Sequence, residues 1–147
     1  MAESSNPITT VWRAGMADLS LSASCAEGNQ AADLLRQLYD LLRGAPIPWT
    51  GARDIATERV RFAAMLEAGA CASAALLLVA GRAGYMVSQG LGGRVMATVT
   101  LGPGGGEVSS EGADLALALT GALAEALSRV GLDERPVLHS MSSQRLN

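Results

Sequence analysis

The stretch from Tyr85 to Leu127 constrains the fold more than any other part of the chain. Two runs of alternating character, Tyr85 to Gln89 (YMVSQ) and Arg94 to Leu101 (RVMATVTL), are joined by Gly90, Leu91, Gly92 and Gly93. Alternation sends successive side chains to opposite faces of a strand, and glycines supply the tight reversal between them, so the pair reads as a β-hairpin. A second Gly-rich turn, Gly102 to Gly106, leads to Glu107–Ser110 as a third short strand. An Ala- and Leu-rich helix follows from about Ala113 to Val130, where Gly131 closes it. A small antiparallel sheet next to such a helix has one face covered and leaves the other to solvent or a partner.

Upstream, Asn29 is suited to cap a helix over Gln30–Arg43, in which Leu34, Leu35, Leu38, Leu41 and Leu42 share one face. Gly44 and Pro46 stop it. Pro46 and Pro48 stiffen the connector APIPWTG, which places Trp49 on a constrained turn. Arg53–Ala68 sets Arg53, Asp54, Glu58, Arg59, Arg61 and Glu67 around a stripe of Ile55, Phe62, Met65 and Leu66, the pattern of an amphipathic helix ended by Gly69. The apolar run Gly69–Gly81 is shorter than the ~20 residues of a membrane-spanning helix, so it reads as buried core. Periodicity alone admits helix or strand over Ala70–Ala80, and a short buried helix is favoured. Residues 1–28 show no sustained helical period and are expected to form a mobile or partner-dependent arm, in which ADLSLSAS can pair as an edge strand. The expected organisation is this arm, a single α+β domain over 29–131 and a surface tail over 132–147. Its order is N-terminal helices, a three-stranded antiparallel sheet and a C-terminal helix.

A chain of 147 residues suits one core. Hydrophobic residues make up 49% but aromatics only 3%, so that core must be built from Ala, Leu, Val and Met, and its elements must approach closely. All eleven basic residues are Arg and the net charge is −3. That balance opposes nucleic acid and anionic membranes, which need clustered positive charge. The N-terminus has neither a basic segment nor an apolar run of the secretory kind, and a cytoplasmic location is expected. Cys25 and Cys71, in no CxxC arrangement, can form one disulfide or none, with free thiols expected in that compartment.

The candidate sites carry little chemistry. The glycines of Gly102–Gly106 are separated from the helix by EVSSE, and no lysine follows, so they do not make a phosphate loop. His139 is the only histidine, which leaves a His-based metal site without partners; no metal or cofactor is expected. A dyad of Cys25 or Cys71 with His139 has nothing to fix its geometry, and no catalytic activity is expected. Glu107, Glu111 and Asp114 read as complements to a helix dipole, with Ser110 as a cap, rather than as an acid–base pair. Arg59 and Arg61 belong to a salt-bridged solvent face. Trp12, Trp49 and Tyr85 serve equally as binding anchors or as caps on a core. Leu38, in the leucine face, and Val99, in the second strand, are the candidate centres of a contact with a partner helix or a second copy. Met86, Val95, Ala97 and Val99 are expected on the sheet face turned away from the helices. Leu38, Trp49, Arg59, Arg61, Tyr85 and Val99 are thus the candidate interaction residues of a non-catalytic protein that works through protein–protein contacts, with homodimerisation as one form.

From YMVSQGLGG through RVMATVTLGPGGGEVSSEGADLALALTGALAEAL, the chain resembles the C-terminal half of a double-stranded RNA-binding domain: hairpin, Gly-rich turn, a Ser near the final helix, and that helix's Ala-rich face. The resemblance implies an α-β-β-β-α topology and makes a nucleic-acid-binding module the alternative function. That family grips phosphate with lysines at the start of the last helix. Here the neighbourhood is Ser109, Ser110, Glu111, Gly112, Ala113 and Asp114, whose carboxylates repel phosphate. SAALLLVAGRAGYMVSQ and GADLALALTGALAEAL also resemble elements of small proteins of unknown function carried by phages and prophages of GC-rich bacteria, which implies an origin and no activity. A cysteine-dependent enzyme is a second alternative.

Overall fold

The computed structural model describes residues 7–46, 55–102 and 106–129. Five α-helices and one sheet occur among them, in the order α1 (Pro7–Cys25), α2 (Ala31–Arg43), α3 (Ile55–Glu67), α4 (Cys71–Val79), β1 (Gly84–Gln89), β2 (Val95–Thr100), β3 (Glu107–Gly112) and α5 (Leu115–Ser128). The sheet is antiparallel with strand order β1-β2-β3. The fold is α+β, with helices before the sheet and one after it.

The last helix is the centre of the molecule. Eleven of the fourteen residues of α5 are buried, from Ala116 through Ala124 without a break, so it has no solvent stripe and must be enclosed on every side. Its heaviest packing is against α1, then against β3 and β2, with α4 and α2 completing the enclosure. Asp114 starts it: one carboxylate oxygen accepts the Leu117 N–H at 2.9 Å, filling a donor that the first helical turn leaves open. Ser110, expected to cap the helix, lies instead in β3, which runs on to Gly112.

Enclosure at this density depends on absent side chains. A Cβ on Gly112 would meet the Ala118 nitrogen at 2.6 Å and the Leu117 carbonyl carbon at 2.9 Å, so β3 passes over the first turn of α5 at backbone distance. A Cβ on Gly121 would lie 2.6 Å from the Ser110 hydroxyl and 3.5 Å from Ala23. The Gly121 carbonyl also accepts the Ser20 hydroxyl of α1 at 3.0 Å. Small residues on three elements therefore let α1, β3 and α5 converge, which is how a core poor in aromatics brings its elements into close contact.

The expected N-terminal arm is corrected by α1. Trp12, Met16, Leu19, Ser20 and Ala23 are buried on one side of this helix, and the Trp12 indole N–H donates to the Leu41 carbonyl at 2.7 Å, tying it to α2. The Leu-Ser alternation of Leu19–Ser22 does not make a strand, because α5 offers α1 a groove deep enough to bury Leu19 and Ser20 together. At the far end, Arg94 donates to the Ser24 carbonyl at 3.3 Å.

The leucine face of α2 is used within the chain: Leu34, Leu35, Leu38 and Leu42 are buried. Its start is set by a short 3-10 turn, Gly28–Gln30, rather than by Asn29. There the Gln30 side-chain oxygen accepts the Glu27 N–H at 2.8 Å while the Gln30 N–H donates to the Glu27 main-chain carbonyl at 2.9 Å. The run between Gly69 and Gly81 is helical, as α4, with Ala74, Ala75, Leu78 and Val79 buried. No helix among the described residues is long and apolar enough to cross a membrane.

Candidate protein-contact surface

The β1–β2 hairpin is held by a three-residue loop. Gly93 N–H donates to Gly90 C=O at 3.0 Å, closing a turn, and Gly90 N–H donates to Arg94 C=O at 3.0 Å, opening the ladder. Gly93 has φ of 90°, a left-handed backbone that closes the loop and that a side chain would strain.

The register sorts the side chains by face. Tyr85 lies opposite Val99, Val87 opposite Ala97, and Gln89 opposite Val95. Across the next pair, Val99 faces Val108, Ala97 faces Ser110 and Val95 faces Gly112. Directly opposed residues share a face, so these nine form the side turned to the helices. Val95, Ala97 and Val99 are all buried there, which reverses the expectation that they look away from the helical layer. Of the four residues expected on the open face, only Met86 is on it, alongside Ser88, Met96, Thr98, Thr100, Glu107, Ser109 and Glu111. That face is mainly polar: the Thr98 and Ser109 hydroxyls lie 2.7 Å apart, and Arg94 pairs with Glu111 at 3.2 Å.

The helical layer does not extend over the whole sheet. α5 lies across β2 and β3, while among the described residues β2 is the only substantial neighbour of β1. Every residue of β1 is exposed, including those on the helix-facing side. Tyr85 keeps 46% of its surface accessible, Met86 69%, Val87 39%, Met96 41% and the loop-tip Leu91 109%. Among the described residues, the other large exposed apolar residues are Ile8, Val11 and Leu21 on α1 and Val60 on α3. Scattered apolar residues are ordinary on a protein surface; the hairpin gathers five on one element, Tyr85 and Val87 on its helix-facing side, Met86 and Met96 on the other face and Leu91 at its tip.

A buried polar cluster anchors the other end of β1. The Arg82 guanidinium grips both oxygens of the Glu58 carboxylate, at 2.9 and 3.0 Å, and donates to the Leu78 carbonyl at 2.8 Å. The two side chains are only 2% and 5% exposed. Glu58 was expected among the solvent-facing charges of its helix; instead it lies on the same side as Phe62 and Leu66, at four-residue spacing, and faces inward. Tyr39 stacks on Phe62 with ring centroids 4.8 Å apart. Its phenol pKa is raised above the ordinary value by burial first, then by the Glu58 carboxylate, with Arg43, Arg59 and Arg82 pulling the other way. The Tyr39 hydroxyl is buried without a hydrogen-bond partner among the described residues. The geometry is that of a bidentate structural ion pair, two residues before the strand it positions.

The candidate interaction residues are dispersed. Leu38 and Val99 lie in the core, where they have no surface to offer a partner. Arg59 and Arg61 are exposed on α3, Tyr85 is exposed on β1, and Trp49 falls outside the described residues. Cys25 is exposed and Cys71 half-buried, both as free thiols, and His139 falls outside the described residues. Among the described residues, no three His, Cys, Asp or Glu side chains gather as metal ligands. Met86, Val87, Leu91 and Met96 complete a surface of which Tyr85 alone was singled out from sequence. The parity of VMATVT, with Val, Ala and Val on one face and Met, Thr and Thr on the other, was the available signal for the faces of β2. Comparison of the chain with known protein families, characterised proteins and solved structures finds no match.

Proposed function

We propose that this chain is a non-catalytic protein-binding module whose contact surface is the β1–β2 hairpin. The observation that carries the reading is β1 itself: six uncharged residues at a sheet edge, all exposed, with Tyr85 and Val87 on the helix-facing side beyond the reach of α5. Edge strands that stay solitary are commonly blunted by a lysine, a proline, a bulge or a covering element; β1 has no lysine, proline or bulge, and no element among the described residues covers it. An edge of this kind binds by lending its free backbone groups to another strand while alternate side chains dock on either face. The opposing reading, phosphate binding at the start of α5, is disfavoured because the Asp114 carboxylate takes the Leu117 N–H and sets a negative charge where the phosphate would sit.

The test is affinity capture from an extract of the host cell, comparing the natural chain with Tyr85→Lys and, as a control, Arg59→Ala. The reading expects a protein held by the natural chain and by the Arg59 variant and released by Tyr85→Lys. Equal retention by all three would place the contact elsewhere.

A further inference from the structure

The ladder phase shows which backbone groups of β1 are free. The hydrogen bond from Gly90 N–H to Arg94 C=O turns the Gly90 groups toward β2, and along an antiparallel strand this orientation alternates. The groups of Ser88 and Met86 therefore also point to β2. Those of Tyr85, Val87 and Gln89 point outward, away from the sheet.

We propose that the strand added at this edge is β1 of a second copy, paired antiparallel about a two-fold axis through Met86 to give a six-stranded sheet across two molecules. This rests on the reading of the hairpin as the contact surface. A two-fold axis perpendicular to a continuous sheet keeps helix-facing residues opposite helix-facing residues, which restricts the axis to a position opposite a single residue of β1. With Met86 on the axis, Tyr85 of each copy lies opposite Val87 of the other, and both residues present outward N–H and C=O groups, so two hydrogen bonds form at each of these two pairs. The aromatic and β-branched side chains that α5 leaves uncovered then cover each other. On the open face the two Met86 side chains meet. With Val87 on the axis, Tyr85 would face Gln89 and Met86 would face Ser88, leaving the large apolar groups opposite polar ones.

Charge and area both bear on the occupant. Gly84–Gln89 carries no charge, so the strand can be laid against itself with no like-charged pair, a condition that a charged edge fails and a self-pairing edge requires. A six-residue strand runs about 20 Å. Strand pairing of that length buries less than the roughly 1,200 Å² at which lasting complexes begin, so the dimer forms and dissociates with concentration.

The test uses the full chain. In a Cys25→Ser, Cys71→Ser background, Met86→Cys places two thiols in a non-hydrogen-bonded pair with Cα atoms about 4.5 Å apart, within disulfide reach. Oxidation should give a covalent dimer on a non-reducing gel, while Ser88→Cys, four residues out of register with its own copy, should stay monomeric. Sedimentation of the natural chain should show the mean mass rising toward twice the monomer with concentration. Val87→Pro, which removes only an outward N–H and leaves the β1–β2 ladder intact, should abolish that rise, as should Tyr85→Lys. Equal crosslinking at both cysteines, or a monomer at every concentration, overturns the proposal. In a monomer, slow amide exchange at Tyr85, Val87 and Gln89 would identify a segment of the same chain on the edge, and fast exchange would leave it for an unrelated protein. If the monomer still lost its captured partner through Tyr85→Lys, the hairpin would remain the contact surface while the second copy was excluded as its occupant.

Discussion

α5 and β1 are both short, uncharged or nearly so, and rich in apolar side chains, yet one is enclosed on every side and the other has no buried residue. The difference is in their neighbours. α5 is approached by α1, α2, α4, β2 and β3, at one place so closely that glycine is required, whereas among the described residues β1 leans on β2 alone. Apolar composition therefore says that an element wants covering and does not say whether this chain covers it. Where the chain does so, stability is concentrated; where it does not, apolar side chains stay open to solvent.

The contrast is broken most severely by removing a wall of the enclosure. A chain beginning at Glu27 lacks α1 and bares the α5 face that Trp12, Met16, Leu19 and Ala23 cover, and it should lose cooperative thermal unfolding. A sharp transition in that truncation would show that α1 is an accessory. Next in size is the ion pair behind β1: Glu58→Gln removes the carboxylate charge that faces the buried Arg82 guanidinium and should cost about 3–5 kcal/mol in denaturant unfolding. Gly112→Ala drives a methyl into the backbone of α5 and should cost at least about 2 kcal/mol. Gly121→Ala makes a sharper test, because the Ser110 hydroxyl can rotate away and alanine recovers up to about 1 kcal/mol of helix propensity, so its net effect should be much smaller.

Two changes should barely register. Tyr39→Phe removes a buried hydroxyl without a partner among the described residues and should leave stability within about 1 kcal/mol at neutral pH. Its signature is alkaline: the folded phenol pKa lies above the unfolded value near 10, so the neutral phenol's contribution is complete below about pH 10 and is lost as pH rises through the folded pKa. The Phe variant should lack that component of the alkaline decline in a urea series across pH. Met86→Thr, on the exposed strand, should shift the urea midpoint by the equivalent of no more than about 0.5 kcal/mol. A large loss there would mean that β1 belongs to the folding core.

The β-hairpin, the third strand, α2, α3, α4 and α5 were legible because each follows a local rule: alternation around glycine, an apolar stripe, or a capped Ala-Leu run. α1 was not. Its buried side reads Trp12, Met16, Leu19, Ser20, Ala23, with small and polar residues filling positions that a conventional stripe gives to leucine, and LSLS imitates a strand. Pro7, the first helical residue, was a usable start signal. Glu58 was hidden because a carboxylate among arginines looks solvated, and only tertiary packing brings Arg82 to it from beyond α4. Of the exposed apolar residues of the hairpin, Tyr85 was legible and the rest were not, since exposure at β1 depends on where α5 lies, which no local pattern records. The face of β2 was decidable from its threonines, and the assignment of Val95, Ala97 and Val99 to the open side missed that parity.

The glycine contacts around α5 also bear on how this sequence can change over time. Position 112, where a side chain would meet the backbone of α5, admits almost no substitution without a compensating change on a neighbouring element, whereas position 121 accepts alanine once the Ser110 hydroxyl turns aside, so drift in the interior is purged where backbone is the obstacle. β1, bound to the rest of the molecule by one ladder, can exchange side chains at little cost to folding. Lineages descended from this chain should therefore keep their small-residue interior nearly fixed while the strand at the edge diversifies, and with it the identity of whatever they bind.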